Sequence, residues 1–336
     1  NPFGKPARTA PALVGLGAGA AYYLAARSLP DYDARYTLDS APAPIEIVRD
    51  NHAVPHIFTE DDRAAFYGLG FAHAQDRLWQ MTLARRVAQG RLAELFGPDA
   101  VRTDHLMRSL DLYGLATQAV TFQTDETRGI LQAYANGVNA YLQLIQKDAL
   151  GRGAPEFFLF EPKIAPWTPA DSIATLKLMA LRLTDKAVEE TLRARLLLRL
   201  PPERVADLMP ESGKAVMALP DFAGAMGLPR WKEAAAPSQP AFSILPERGE
   251  GGASNAFAAM PDRAAAGMPL FASDPHVELT APGAFYLARL QLSTGDVIGA
   301  TLPGAPPVLL GRSSKLAWGL TVSHLDDQDI FIERLI

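Results

Sequence analysis

The order of patterns along this chain predicts an α+β fold. Three observations carry that prediction. Helical periodicity dominates from about residue 60 to 200, and short apolar strand patterns follow one another after Ser254. Between them, residues 210–253 are rich in Pro, Ala and Gly with little periodicity of either kind. Helices first and strands second indicate segregated layers, because a doubly wound sheet would alternate them. At 336 residues, 48% hydrophobic and 21% charged, the chain can bury a large core or two.

The N-terminus comes first. Lys5 and Arg8 precede an uncharged stretch, Ala10–Ala26, which Arg27 closes. A basic flank, an apolar centre and small residues near its end fit a signal peptide or signal anchor over residues 1–30. At about 1.5 Å per residue the stretch falls somewhat short of a bilayer core of about 30 Å. A buried Ala/Gly-rich helix is the alternative. The export reading predicts a periplasmic or cell-envelope protein with a membrane tether, in a compartment where calcium is readily available.

Residues 31–209 read as a mainly helical part. After a polar tether, "IEIVRD" and "VPHIFT" predict two short strands around the turn-like "NHA". In "DRLWQMTLARRVAQGRLAELFG", Leu78, Met81, Ala84, Ala88, Leu92 and Leu95 recur at steps of three or four, and Gly97-Pro98 predicts the stop. Further helices are expected over 106–115, 125–146 and 170–200. Thr168 is the expected N-cap of the last, with Pro169 at its first position and Asp171 at its positive end. Residues 210–253 predict an irregular connector. From 254 to 336, "NAFAAM", "PLFAS", "AFYLARLQL", "VIGATLP", "VLLGRS", "LAWGLTV" and "DIFIERL" predict strands joined by turns.

Composition narrows the chemistry. A net charge of −5 gives no basic footprint for nucleic acid. Cysteine is absent, which removes thiol nucleophiles, thiolate metal sites and disulfides together. There is no G-x-S-x-G elbow, H-E-x-x-H or phosphate loop, and the six histidines show no tight metal-ligand spacing.

One stretch suggests a serine chemistry that needs no histidine base. In "GEGGASNAF" (Gly249–Phe257), small residues lead into Ser254. If the bond before Ser254 breaks, the serine gains a free α-amine beside its own hydroxyl. Such an amine has an ordinary pKa near 7.7–8.0, so it can act as general base at neutral pH. Gly251, Gly252 and Ala253 would let the backbone take the strained form that cleavage requires. A plain Gly-rich linker explains the same residues.

"IEIVRDNHAVPHIF", "GLGFAHAQDRLWQMTLARRVAQGRLAELFG", "PWTPADS", "GGASNAF" and "PGAPPVLLGRSSKLAWGLTVSHLDDQDIF" occur in this order. Together they make Ile45–Ile336 resemble the penicillin amidase family of N-terminal-nucleophile hydrolases. The family usually has Gly where this chain has Ala53. The resemblance implies an αββα sandwich and an amide-bond hydrolase, an acylase of small-molecule acyl amides that autoproteolysis before Ser254 activates. It implies that residues 31–209 belong to an α-subunit, 210–253 to a spacer ending at the processing site, and 254–336 to the start of a β-subunit, the parts staying associated.

The resemblance also assigns roles. Ser254 matches the nucleophile and Asn255 a supporting position. His276, in "SDPHVEL", matches a position where a polar side chain can orient the amine or the attacking water. Val322 matches the residue whose backbone N–H helps form the oxyanion hole. Met179, Leu183, Val277 and Leu310 match acyl-pocket positions, and their aliphatic character favours alkyl chains or a dicarboxylic side chain over a phenylacetyl ring. Glu189, Asp326, Asp329 and the Gln328 carbonyl match a calcium site with the hard oxygen donors that this ion prefers. Without the resemblance, Glu189 is a solvated helix residue at pairing distance from Arg182 and Lys186, and the four apolar residues are core. The family's β-subunit is far longer than Ser254–Ile336, so the resemblance implies the front part of a precursor, with a second oxyanion donor beyond Ile336. Two rival functions remain: a non-catalytic envelope protein that binds through the same fold, and a histidine-based serine hydrolase that needs no cleavage.

Overall fold

The computed structural model describes residues 19, 22–23, 26–147, 153–160, 164–183, 186–209, 254–277 and 279–322. Two strands open the fold as expected: β1 (Glu46–Arg49) and β2 (Pro55–Phe58) pair antiparallel, with Ile47 opposite Ile57. Asp50 organises the turn between them. Its Oδ1 accepts the backbone N–H of His52 at 2.8 Å and of Val54 at 3.0 Å, which lowers its pKa from the ordinary carboxylate value. Ala53 completes the turn with a φ of 60°, in the left-handed region where a β-carbon is strained.

Helix α1 (Asp62–Gln89) starts at Asp61, whose Oδ1 caps the N–H of Ala64 at 2.7 Å. It stops earlier than the expected Gly97-Pro98. Gly90, at a φ of 60°, turns the chain out of the helix while its N–H still reaches the carbonyls of Arg86 and Val87. Leu92 and Leu95 keep the helical spacing but lie past this break. The next short helix, α2 (Ala93–Phe96), is held from a distance. Asp104 of α3 (Val101–Ser109) accepts the N–H groups of Leu92 and Ala93 at 2.7 and 2.8 Å. Asp111, with a φ of 49°, separates α3 from α4 (Leu112–Thr121), so the single helix expected over 106–115 is two.

Helix α5 (Asp125–Lys147) matches its expected span and packs along α1. Two glycines allow this contact. A β-carbon on Gly70 would lie 2.1 Å from the Tyr134 carbonyl oxygen, and one on Gly137 would lie 1.9 Å from that of Tyr67. Leu69, Leu78, Met81, Tyr134 and Val138 fill the core between the helices and the sheet, with Ile57 and Leu290 contributed by strands. The expected helix 170–200 is α6 (Pro169–Leu183) and α7 (Lys186–Leu197), with residues 184–185 outside the described set, and α8 (Pro202–Leu208) follows. Thr168 holds the expected N-cap position ahead of Pro169, and Asp171, three residues on, reaches back to it. Its Oδ2 accepts both the backbone N–H and the hydroxyl of Thr168, at 2.7 and 2.9 Å.

After Ser254 the chain is built of strands. β3 (Ser254–Ala259) and β4 (Leu270–Pro275) form a two-stranded ribbon. β5 (Tyr286–Leu290), β6 (Val297–Leu302), β7 (Ala305–Arg312) and β8 (Ala317–Trp318) join β1 and β2 in a six-stranded sheet of order β1-β2-β5-β6-β7-β8. Only the β2–β5 pair is parallel among the described strands, with Ile57 opposite Leu290. Helix α1 packs on β2, β5 and β7, and α5 on β7, giving a helical layer over the sheet. The α+β class follows. The strand expected over 329–335 lies outside the described residues.

The chain divides into two compact units, residues 1–178 with 244–321 and residues 179–243 with 322–336. No helix among the described residues is long and apolar enough to cross a membrane. The apolar stretch 10–26 lies almost wholly outside that set.

Candidate active site

Ser254 is the first residue of β3, and the ladder fixes its surroundings. It stands opposite Pro275, with Asn255 opposite Asp274 and Ala256 opposite Ser273. Partners in an antiparallel ladder share a face, so Ser254, Pro275, Ala256 and Ser273 point one way and Asn255 and Asp274 the other. The segment after β8 covers the Ser254 face further along. A β-carbon on Gly319 would lie 2.3 Å from Ser273 Oγ, so only glycine lets the chain run there.

His276 follows Pro275 directly and marks the end of β4. The N–H of Val277 bonds to the Pro275 carbonyl at 3.0 Å, closing a tight turn with His276 at its centre. The imidazole is held as well, since His276 Nε2 lies 2.9 Å from Asp274 Oδ2. The structure therefore brings Ser254, Asn255, His276 and Val277 together at one end of the ribbon, and adds Asp274 to them. Sequence reasoning passed over that aspartate, although it stands inside "SDPHVEL".

The remaining expected residues fall elsewhere. Leu310 is buried in β7 opposite Ala300, in the core of the large sheet. Met179 and Leu183 sit four residues apart near the end of α6, half-buried and exposed respectively, and belong to the second compact unit. Val322 is the last described residue and belongs to that unit too. So does Glu189, whose Oε2 accepts a hydrogen bond from Lys186 Nζ at 2.7 Å. Asp326, Gln328 and Asp329 lie outside the described residues. Among the described residues no three His, Asp or Glu side chains cluster as a metal site would require.

A buried polar chain near the first unit's centre went unread in the sequence. Thr301 Oγ1 donates to the Tyr286 carbonyl at 2.7 Å, so it must accept from His73 Nε2, 2.8 Å away. His73 Nδ1 then accepts from the Tyr134 hydroxyl at 2.7 Å, which in turn accepts the N–H of Gly304 at 3.0 Å. Every donor points the same way along this chain. Burial, with the Arg77 charge added, pushes the His73 pKa down to about 3, and burial raises Tyr134 well above its ordinary value. Beside it, Asp76 receives Arg49 at 2.8 Å and the hydroxyls of Tyr286 and Tyr32. Both clusters join residues from before and after Ser254. The signal available was "GFAHAQDRL", where a histidine and an aspartate break an apolar helix face.

Comparison with known proteins shows the family to which the chain belongs. The penicillin amidase family model matches residues 44–336. The chain is 31% identical to penicillin acylase 2 proenzyme from Pseudomonas sp. over 321 residues, 91% of this chain and 40% of that protein. It is 30% identical to the acyl-homoserine lactone acylase QuiP of Pseudomonas aeruginosa over 327 residues, 92% of this chain and 37% of that one. Among solved structures, a thermostable penicillin G acylase from Alcaligenes faecalis matches with 29% identity and a TM-score of 0.44, over 53% of this chain and 97% of that one. The chain thus spans about 40% of the length of the first relative it matches. With a family match that runs from just before β1 to the last residue, this chain belongs to the penicillin amidase family.

Proposed function

We propose that the protein containing this chain is an amide-bond hydrolase that releases an acyl group from a small-molecule amide, with Ser254 as its nucleophile. One observation carries the reading: in a member of the penicillin amidase family, Ser254 opens a strand whose partner ends at Pro275, directly before His276. Cleavage of the Ala253–Ser254 bond would free the α-amine. That amine takes the hydroxyl proton as Oγ attacks the substrate carbonyl, the substrate amine leaves with a proton, and water then releases the acyl group from the ester. Backbone donors, the Val322 N–H among them, would stabilise the oxyanion.

The finer parts of the reading extend this. The complete protein would be an αββα sandwich, exported to the cell envelope, whose parts on either side of Ser254 remain associated. Met179, Leu183, Val277 and Leu310 would line an aliphatic acyl pocket, favouring alkyl over phenylacetyl amides. Glu189, Asp326, Asp329 and the Gln328 carbonyl are oxygen donors of the kind calcium takes, and the first would exchange its half-buried Lys186 partner for the ion. Bound there, calcium would supply a structural cross-link, with no part in the acyl transfer.

The test is processing. The full-length polypeptide is expected to appear as two chains, the second beginning at Ser254, and to hydrolyse members of an acyl-amide panel. Ser254→Ala is expected to stay uncut and inactive. A Ser254→Ala protein still cut at this bond would overturn self-processing, and hydrolysis surviving in it would overturn the assignment of the nucleophile.

A further inference from the structure

The contact between His276 and Asp274 has a chemical direction. An ionised carboxylate only accepts hydrogen bonds, so Nε2, 2.9 Å from Asp274 Oδ2, must carry the hydrogen. In the neutral ring this leaves Nδ1 as the acceptor. The ladder sets how far the His276 backbone stands from that of Ser254. Partnered Cα atoms in an antiparallel ladder stand about 4.5–5.5 Å apart, and successive Cα atoms about 3.8 Å. Since Ser254 is opposite Pro275, the His276 backbone stands within about 9 Å of that of Ser254. The Val277-to-Pro275 turn holds the backbone of His276, and Asp274 holds its ring.

We propose that Asp274 is a positioning residue. It locks His276 in the Nε2–H form, so that Nδ1 is the nitrogen available to the amine end of Ser254. There Nδ1 accepts one amine hydrogen, which aims the amine lone pair at the serine hydroxyl. A histidine in the other tautomer would offer an N–H to the amine and compete for that same lone pair. The choice of nitrogen therefore decides whether the ring assists the base or blocks it. The inference rests on the proposed role of Ser254 as a self-activated nucleophile.

The local electrostatics are simple. β3 and β8, which pack against β4, carry no titratable side chain, so among these three strands Asp274 is the charged group beside His276. Both partners are partly solvated, with side chains 38% and 70% exposed for His276 and Asp274. The pair is therefore weak as a stabiliser, and removing it should leave the fold intact. Its weight lies in orientation.

The experiment uses the full-length protein, with Asp274→Ala, Asp274→Asn and Asp274→Glu compared with wild type. Histidine labelled with nitrogen-15 reports the His276 tautomer directly, with or without turnover. Wild type and Asp274→Glu are expected to show the Nε2–H form, and Asp274→Ala a mixture. For activity, Asp274→Ala is expected to lower kcat about tenfold, a fraction of the effect of losing a general base outright. KM should change little. Asp274→Asn should fall between, and Asp274→Glu should recover most of the rate.

A His276 tautomer that is Nδ1–H in wild type, or identical in wild type and Asp274→Ala, overturns the inference whatever the activity shows. So does an Asp274→Ala enzyme with unchanged kcat. A wild type that hydrolyses no amide, or an active Ser254→Ala, would instead overturn the function proposed above.

Discussion

His73 Nε2 lies 2.8 Å from Thr301 Oγ1, joining a helix to a strand 228 positions later. The bond fixes the ring as a neutral Nε2–H tautomer, because the threonine hydrogen is already given to Tyr286. Protonating Nδ1 would confront the Tyr134 hydroxyl with two donors and leave its own hydrogen without a partner.

Acid is therefore expected to act through this histidine. Its folded pKa, about 3, lies below the ordinary value of 6.5, so the unfolded chain takes up the proton first. Stability is fully present above pH 6.5 and declines as pH falls toward 3, by about 1.4 kcal/mol per unit within that window. Carboxylates also contribute there, so His73→Asn is the reference. Denaturant unfolding between pH 7.5 and 4 should show a shallower decline in the variant, from a lower starting stability. Parallel curves would refute the role of His73.

Gly137→Ala should be severe. The new β-carbon would lie 1.9 Å from the Tyr67 carbonyl oxygen, and a helix backbone cannot yield as a side chain can. A cost of about 3 kcal/mol or more is expected. Gly129→Ala, on the same helix, meets only the tip of Arg63 at 3.2 Å. That change should be neutral or stabilise by up to about 1 kcal/mol through helix propensity. Equal denaturation midpoints for the two variants would contradict the close approach of α1 and α5.

Ala53→Gly should stabilise. Leaving alanine at a φ of 60° costs roughly 1–2 kcal/mol, while glycine frees the unfolded chain by roughly 0.4–1 kcal/mol. The balance favours glycine by several tenths of a kcal/mol to about 1 kcal/mol. A lower melting temperature in the glycine variant would show that the turn is not strained.

Chelation tests the proposed calcium site. In the full-length protein, a chelator is expected to lower the melting temperature, since an ion held only by the folded form stabilises it by mass action. Asp329→Ala should abolish that sensitivity. Indistinguishable melts with and without chelator, and no metal by elemental analysis, would remove calcium from the account.

Local chemistry was legible in the sequence, and long-range contacts were not. The β1–β2 hairpin showed in alternation around "NHA", and α5 in its unbroken period. The end of α1 was misplaced because Leu92 and Leu95 continue the spacing, while the caps past Gly90 come from Asp104, in a later helix. The parallel β2–β5 pair could not be read at all, since nothing local in either strand names its partner. At the proposed site, Ser254 was reached through its small-residue leader and His276 only through the family resemblance. Asp274 was not reached, because an aspartate before proline in a turn is ordinary solvation chemistry until its ring partner is seen. His73 was invisible for the opposite reason: a polar residue on an apolar face reveals its use only when Thr301 arrives to meet it.

The neighbourly arrangement of β2 and β5 sets an order of assembly. Ile57 precedes Ser254 by nearly two hundred positions and yet lies beside Leu290 in one continuous sheet. Made separately, the front piece would hold, of the described sheet, only β1 and β2, leaving β2 without its β5 neighbour. The rear piece would present β5 with a bare row of amide and carbonyl groups, open to pairing with any passing chain. A polypeptide that folds whole and is severed afterwards never exposes that seam. Synthesis as a single chain thus keeps β2 at hand for β5 while the sheet forms, and protects the sheet from its own edge.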